Sequence, residues 1–155
     1  MDSTRQTGSG RKRGRSNVPS DAKASPRFPV AFVDSSAIVA LADRQDATHA
    51  PAVAAYHSLL NDGYRLFTTN HVIVESFSLL CAGLGPDLAR QWLRDCQLPV
   101  YSADVSDEER ARQMVLENTT GRTLTLTDAI SLVVMERLGI ADAFAIDPDF
   151  MAALS

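Results

Sequence analysis

From Pro29 to the last residues of the chain, short apolar runs alternate with longer segments of helical character. The run Val30–Val33 is apolar with a β-branched share, which is typical of a strand buried on both faces. Similar short runs lie at residues 66–69, 99–101 and 143–146. Strands that alternate with helices pair in parallel, so this pattern predicts an α/β fold with a doubly wound parallel sheet.

The helices between these strands are predicted to begin at capping residues and to end at glycine or turn signals. The predicted ranges are 35–41, 49–60, 70–80, 86–96, 106–118 and 127–138, followed by a terminal helical turn from Pro148. Either Asp34 or Ser35 is predicted to cap the first helix, and Asn70 the third. Ser106 and Glu109 have the spacing of a capping box before the fifth helix.

The chain divides near residue 28. Residues 1–28 carry seven Lys or Arg against two Asp, with abundant Ser, Gly and Pro, and this composition predicts a disordered basic leader. The basic run Arg11–Arg15 could hold phosphates through charge alone, although a merely solvated leader is the simpler alternative. Residues 29–155 carry eight Arg, no Lys and seventeen acidic residues, and we expect them to form one domain.

Composition also bears on the compartment. No apolar run approaches the length of a membrane span, and the polar N-terminus lacks the apolar core of a signal peptide. Cys81 and Cys96 provide neither a disulfide framework nor a CxxC ligand pair, which fits a reducing cytosol. These features predict a cytoplasmic protein without membrane association.

Four acidic residues lie next to the apolar elements. Asp34 follows the first predicted strand, Asp147 follows the last, Asp128 opens an apolar helix, and Glu75 lies within the apolar segment Val72–Phe77. In an open α/β sheet such positions meet at the carboxyl edge of the strands. Each could be a helix cap or an ordinary surface acid, but buried carboxylates without a cation are unfavourable. Together they predict a shared divalent-metal site with oxygen ligands, which suits Mg²⁺ or Mn²⁺.

Four segments resemble the motifs of a known family, the PIN-domain ribonucleases, and most of all the toxin halves of VapBC toxin–antitoxin systems. These segments are Phe32–Ala37, Val74–Glu75, Leu126–Ala129 and Ala145–Phe150. The resemblance covers about residues 30–153. Two features depart from the family pattern: the basic leader, and Pro148-Asp149 where a basic or histidine-containing pair is common.

The resemblance implies a three-layer α/β/α fold and a Mg²⁺- or Mn²⁺-dependent endoribonuclease, the toxin of a type II toxin–antitoxin system. It implies that Asp34 and Asp128 bind the metal most directly and that Asp147 is a further ligand, direct or through water. Glu75 would hold or polarise water, and Thr127 would hydrogen-bond to a water of the metal site. The implied partners are RNA, a cognate antitoxin and a second copy of the chain.

Two other classes of α/β protein share one feature of this sequence but lack other residues that those classes need. Phospho-acceptor receivers and haloacid-dehalogenase-type enzymes also place an Asp after the first strand, but both need a lysine, which residues 29–155 lack. The dehalogenase pattern also needs an Asp where this chain has Ser36. An RNA-maturation nuclease and a non-catalytic PIN scaffold stay open as alternatives. Arg44, Arg65 and Arg122 are candidate phosphate-binding residues.

Overall fold

The structure, a computed structural model, describes residues 27–154. Within this range the strands are β1 (Val30–Val33), β2 (Arg65–Thr69), β3 (Val100–Tyr101) and β4 (Asp142–Phe144). The helices are α1 (Ser35–Ala42), α2 (His49–Asn61), α3 (Asn70–Leu84), α4 (Pro86–Asp95), α5 (Val105–Leu116), α6 (Leu126–Leu138) and α7 (Pro148–Ala153). The prediction of a disordered leader at residues 1–28 falls almost wholly on residues 1–26, which lie outside the described range.

The four strands form one parallel sheet in the order β3-β2-β1-β4. Val30 lies opposite Arg65 on one side of β1, and Ala31 lies opposite Asp142 on the other. The chain therefore moves outward from β1 through β2 to β3, and then returns to add β4 on the other side of β1. This reversal creates a topological switch point between the carboxyl ends of β1 and β4, where sites of α/β proteins form.

Two hydrophobic clusters cover the sheet. The larger packs β1, α1 and α7 together, and the fully buried Phe32 contacts Phe67 edge-to-face at 5.6 Å between ring centroids and Phe150 at 6.0 Å. The smaller joins α5 to α6 through residues such as Ala111 and Ile130. Right-handed crossovers in opposite directions place their helices on opposite faces of a sheet. The predicted three-layer α/β/α architecture is thus confirmed.

The start of α3 differs from the prediction by one residue. Thr69, not Asn70, is the N-cap, and its side chain accepts a hydrogen bond from Val72 N at 3.2 Å. Asn70 is used elsewhere, because its Oδ1 accepts a hydrogen bond from Ala103 N at 3.0 Å and ties the segment after β3 to α3. The β2–α3 junction is therefore held by both side chains.

The capping box of α5 was predicted two residues too late. It is formed by Asp104 and Asp107, which each accept a hydrogen bond from the other's backbone N–H, at 2.9 and 3.0 Å, and not by Ser106 and Glu109. Both aspartates also pair with Arg137 of α6, Asp107 at 2.9 Å and Asp104 at 3.2 Å, and a serine cap would make neither ion pair. Short Asp side chains can replace the usual Ser and Glu because both reach backbone N–H groups.

The last strand ends earlier than predicted. It covers Asp142–Phe144 and not residues 143–146, because the backbone N–H groups of Ile146 and Asp147 bind the Ser36 hydroxyl. None of the helices in the described part of the chain is both long enough and apolar enough to cross a membrane.

Candidate active site

Asp34 lies at the switch point. Its backbone N–H donates to Phe144 O at 3.0 Å, which joins the end of β1 to the end of β4. Its carboxylate is almost fully buried and caps α1, because Oδ2 accepts hydrogen bonds from Ser36 N at 3.1 Å and from Ser36 Oγ at 2.5 Å. The other oxygen, Oδ1, is buried and has no hydrogen-bond partner within residues 27–154. Asp34 is thus a helix cap and also leaves one oxygen free for a ligand.

Glu75 lies in the second turn of α3, which packs against α1. Burial raises the pKa of its carboxyl, and repulsion by Asp34 and Asp147 adds to this, while a hydrogen bond with Ser35 acts in the opposite direction. Glu75 Oε2 is buried without a hydrogen-bond partner. Because the charges of Asp34 and Asp147 raise the pKa of the half-buried Glu75, the three carboxylates form one electrostatic cluster.

Asp128 lies in the first turn of α6 and is 7% exposed. Burial and repulsion by Asp34 raise its pKa to about 6, from an ordinary value of 3.8, and Glu75 and Asp147 contribute in the same direction. Thr125 is the N-cap of α6 and accepts a hydrogen bond from Asp128 N at 3.1 Å. The helix therefore starts one to two residues before the predicted Thr127 or Asp128.

Asp147 reaches the same place from β4. It is the N-cap of α7, and its Oδ1 accepts a hydrogen bond from Asp149 N at 3.0 Å. Its own backbone N–H donates to Ser36 Oγ at 3.1 Å. The position of Asp147 is therefore set from both sides, by the start of α7 and by α1.

One pocket of about 670 Å³ contains all four predicted carboxylates. Its lining includes Asp34, Glu75, Asp128 and Asp147, together with Asp46, Ser36 and Thr125. Asp46 keeps a lowered pKa, because the Thr48 side chain and backbone donate hydrogen bonds to it. No Lys, Arg or His is among the described residues that line this pocket, so its walls carry one sign of charge.

Sequence reasoning missed three of these polar lining residues. Thr127 was predicted to support the site, but it does not line the pocket, and its backbone carbonyl accepts a hydrogen bond from Ser131. Thr125, and not Thr127, supports the start of α6 beside Asp128, because the N-cap of this helix lies three residues before Asp128. The Thr-x-x-Asp spacing of residues 125–128 was a usable signal for this cap. Ser36 and Asp46 carry no signal of comparable strength.

The donor set fits a divalent cation. In residues 27–154, no group of three or more His, Cys, Asp or Glu side chains is arranged to hold a metal ion as it stands. The carboxylates therefore share a pocket without converging on one point. Mg²⁺ usually keeps several waters and contacts only one or two carboxylates, so the spread is compatible with it. Asp34 Oδ1 and Glu75 Oε2 are buried acceptors that such an ion, or its waters, would satisfy.

Membership of a known protein family explains why these features occur together. Residues 31–153 match the family described as the PIN domain. The chain belongs to the PIN-domain family. The match runs from β1 to the end of α7, so it contains every described element of the PIN domain except the start of the first strand.

Two curated relatives carry the same description in two strains of Mycobacterium tuberculosis. The 23S rRNA-specific endonuclease VapC20 of strain CDC 1551 / Oshkosh is 31% identical over 125 residues, which are 79% of this chain and 92% of the relative. The protein of strain ATCC 25618 / H37Rv gives the same values. The crystal structure of M. tuberculosis VapC20, described as a sarcin–ricin loop cleaving toxin, superposes with a TM-score of 0.70 at 31% identity. It covers 80% of this chain and 94% of that chain.

The PIN domain also has a larger groove, of about 1150 Å³, which contains none of the four carboxylates. It is lined mainly by apolar side chains, Leu above all, with Arg44, Arg65 and Asp95 among its polar residues. Arg65 begins β2, and its guanidinium lies over the Phe28 ring at 4.0 Å, at the opposite end of the strands from the acidic pocket. Size alone does not indicate the active site, because the chemistry-bearing groups lie in the smaller pocket.

Proposed function

We propose that this protein is a divalent-metal-dependent endoribonuclease and the toxin of a type II toxin–antitoxin system. The observation that carries the proposal is the pocket at the switch point, which four carboxylates line and in which two buried carboxylate oxygens have no hydrogen-bond partner among the described residues. The likeness to VapC20 over 92% of its length supports RNA cleavage by this pocket. Without a cation, mutual repulsion and burial keep such a cluster in an unfavourable state.

We assign Asp34 and Asp128 as the residues that hold Mg²⁺ or Mn²⁺, with Asp147 as a further ligand, direct or through water. Such a cation, when bound, offsets phosphate charge and makes a water more acidic. Glu75 has a raised pKa, so its carboxylate takes up a proton more readily than an exposed glutamate does. Its role is to hold the attacking water and to accept a proton from it. Thr125 fixes the first turn of α6, and with it the position of Asp128.

The reaction is hydrolysis of an RNA phosphodiester bond. Water adds to phosphorus, the bond to the 3′ oxygen breaks, and the 3′ oxygen leaves with a proton. The charged side chains among the described residues that line the pocket are all acidic, so phosphate cannot be held there by protein charge alone. Arginines outside the pocket, of which Arg44 and Arg122 are candidates, would contact flanking phosphates.

We propose ribosomal RNA as the first substrate class to test, because the relatives are described as 23S rRNA-specific. The cognate antitoxin would place a basic side chain among the carboxylates, since clustered acids attract Arg strongly. We also propose a homodimer, which the exposed apolar side chains of the domain, such as Val74, Val105 and Leu116, favour. Cytoplasmic action follows from this function.

The direct test is cleavage by the purified protein. Ribosomal RNA, transfer RNA and messenger RNA are each incubated with Mg²⁺, with Mn²⁺ and with EDTA, and the products are mapped by primer extension. We expect discrete internal cuts in one class of RNA with either metal and none with EDTA. Cleavage that persists in EDTA would contradict the metal-dependent mechanism, and absence of cleavage in all RNAs would support a non-catalytic PIN scaffold.

Induction of the protein in bacteria should arrest growth. Asp34→Asn, made to the same level, should not, because the arrest depends on cleavage. Co-expression of the cognate antitoxin should restore growth. Harmless induction of a soluble and active enzyme would contradict the toxin assignment and favour an RNA-maturation nuclease, whose loss should instead cause a precursor RNA to accumulate.

We also propose that residues 1–28 are a leader that is dispensable for chemistry. A shortened chain that begins at Arg27 should fold and cleave, because the four carboxylates and both hydrophobic clusters lie within residues 27–154. It lacks six Lys or Arg, so its RNA affinity should be weaker and less dependent on salt. Alanine at the basic positions of Arg11–Arg15 in the full chain should reproduce this salt effect. Complete loss of cleavage in the shortened chain would contradict the division.

A further inference from the structure

One hydroxyl group joins the two ends of the active site. Ser36 Oγ donates to Asp34 Oδ2 at 2.5 Å, and it accepts hydrogen bonds from Ile146 N at 2.9 Å and from Asp147 N at 3.1 Å. The last two groups are 110 and 111 residues away in sequence. Ser36 also lines the acidic pocket. The Ser36 hydroxyl therefore contacts two of the four acidic residues. It binds the side-chain carboxylate of Asp34 and the backbone N–H of Asp147.

The direction of these hydrogen bonds is determined by chemistry. A serine hydroxyl has one proton to donate and two lone pairs to accept with. Backbone N–H groups can only donate, so Ile146 and Asp147 occupy both lone pairs. The hydroxyl proton is then left for Asp34 Oδ2, which is a carboxylate acceptor. Every hydrogen-bonding position of Ser36 Oγ is used, and no other orientation of the hydroxyl would keep all three contacts.

This arrangement decides which oxygen of Asp34 faces a ligand. Oδ2 already accepts hydrogen bonds from Ser36 N and Ser36 Oγ, which fixes the rotation of the carboxylate. Oδ1 is then the oxygen left buried and without a partner. Strand β4 ends at Phe144. The backbone N–H groups of Ile146 and Asp147 then bind Ser36 Oγ instead of extending the strand.

We propose that Ser36 is a positioning residue that presents Asp34 Oδ1 to the divalent cation and holds Asp147 beside it. This inference rests on the proposed function, since it assumes that the carboxylates bind a cation. Ser36 acts through Asp34 and Asp147 and does not itself touch the substrate. A support of this kind commonly changes metal affinity or activity by roughly 10–100-fold when it is removed.

The test compares Ser36→Ala with Ser36→Thr and with Ser131→Ala. Threonine keeps the hydroxyl, and Ser36 lines the pocket and is only partly buried. Ser131 is a matched control, because it is a fully buried serine whose hydroxyl bonds only within α6, to Thr127 O at 3.0 Å. Three quantities are measured: Mn²⁺ affinity by calorimetry without RNA, amide hydrogen exchange by NMR in the metal-free protein, and the rate of RNA cleavage.

For Ser36→Ala we expect Mn²⁺ affinity and cleavage to fall by roughly 10–100-fold, with faster exchange of the Ile146 and Asp147 amides. Ser36→Thr should recover most of the affinity. Ser131→Ala should lower the melting temperature without changing Mn²⁺ affinity or the exchange of those two amides. This pattern would support the inference, because loss of stability alone cannot produce it.

Two results would overturn it. Unchanged Mn²⁺ affinity in Ser36→Ala, whether or not the two amides exchange faster, would mean that the hydroxyl only ties the chain. Unchanged exchange of both amides would mean that the hydroxyl does not hold them in solution. Failure of the proposed function gives a different result, because the unaltered protein would then neither bind Mn²⁺ nor cleave RNA, and the role of Ser36 would fall with it.

Discussion

Asp34→Asn should lower the rate of RNA cleavage by roughly 10³-fold while the protein stays folded. The amide oxygen of asparagine can accept the hydrogen bonds that Oδ2 now accepts from Ser36. The amide nitrogen then takes the place of Oδ1, which has no hydrogen-bond partner in the described part of the chain. This nitrogen cannot bind a cation, so the substitution removes the ligand and keeps the cap. Cleavage is measured with Mn²⁺, and the unfolding free energy should change by no more than about 1 kcal/mol.

Asp149→Asn is the matched control. It removes one negative charge only two residues from Asp147, but the Asp149 side chain is exposed and does not line the pocket. Cleavage should proceed at the rate of the unaltered protein. If Asp34→Asn cuts RNA as fast as the unaltered chain, the role assigned to Asp34 is wrong. If both variants lose activity equally, cleavage depends on the total negative charge near α7, and Asp34 does not act as a specific ligand.

Much of the fold could be predicted because local sequence determines it. β1 was predicted with its observed bounds, since an unbroken apolar run bounded by Pro29 and Asp34 allows little else. The parallel sheet follows from the strand–helix alternation, whereas its strand order β3-β2-β1-β4 was not predicted. The errors occur where a distant group decides the local structure. Asn70 was wrongly predicted as a cap. Its side chain instead binds Ala103, 33 residues away, and the local sequence gives no sign of this contact.

The site divides in the same way. The four carboxylates could be predicted because each interrupts or ends an apolar element, where an acid needs a reason. Ser36 could not, because it is an ordinary residue for the first turn of a helix. Its importance arises only from contacts made 110 residues later. Nor could the sequence reveal that the carboxylates line a pocket without converging, since side-chain spacing depends on how α3 packs against α1 and α6.

The charge of the pocket has a consequence for stability. Asp128 has a folded-state pKa of about 6 against an ordinary 3.8, with burial as the main cause and Asp34 as the next. A raised carboxyl pKa means that the folded state binds the proton more tightly than the unfolded state does. This group therefore lowers the stability of the metal-free protein as pH rises from about 4 to about 6, and its full penalty is present above pH 6. Glu75 acts in the same direction.

Asp128→Asn should therefore stabilise the metal-free protein at pH 7.5 and at the same time abolish cleavage. A shift from 3.8 to about 6 corresponds to about 3 kcal/mol. Solvent screening at a pocket wall and the lost attraction to the helix dipole reduce this to about 1–2 kcal/mol. The melting temperature should then rise by about 4–8 °C. At pH 4 the two proteins should melt nearly together, because Asp128 is then largely protonated when folded.

Saturating Mn²⁺ should reverse the order of the two proteins. A ligand that binds only the folded state stabilises it by mass action, so the unaltered protein should gain strongly while Asp128→Asn gains little. The measurement is a set of thermal melts at pH 4, 5, 6 and 7.5 with EDTA, repeated at pH 7.5 with Mn²⁺. Asp62→Asn, at an exposed position outside the pocket, serves as the charge control and should show neither effect. A lower melting temperature for Asp128→Asn at pH 7.5 in EDTA would mean that Asp128 stabilises the fold, and the pocket would then lack the electrostatic strain on which the metal assignment depends.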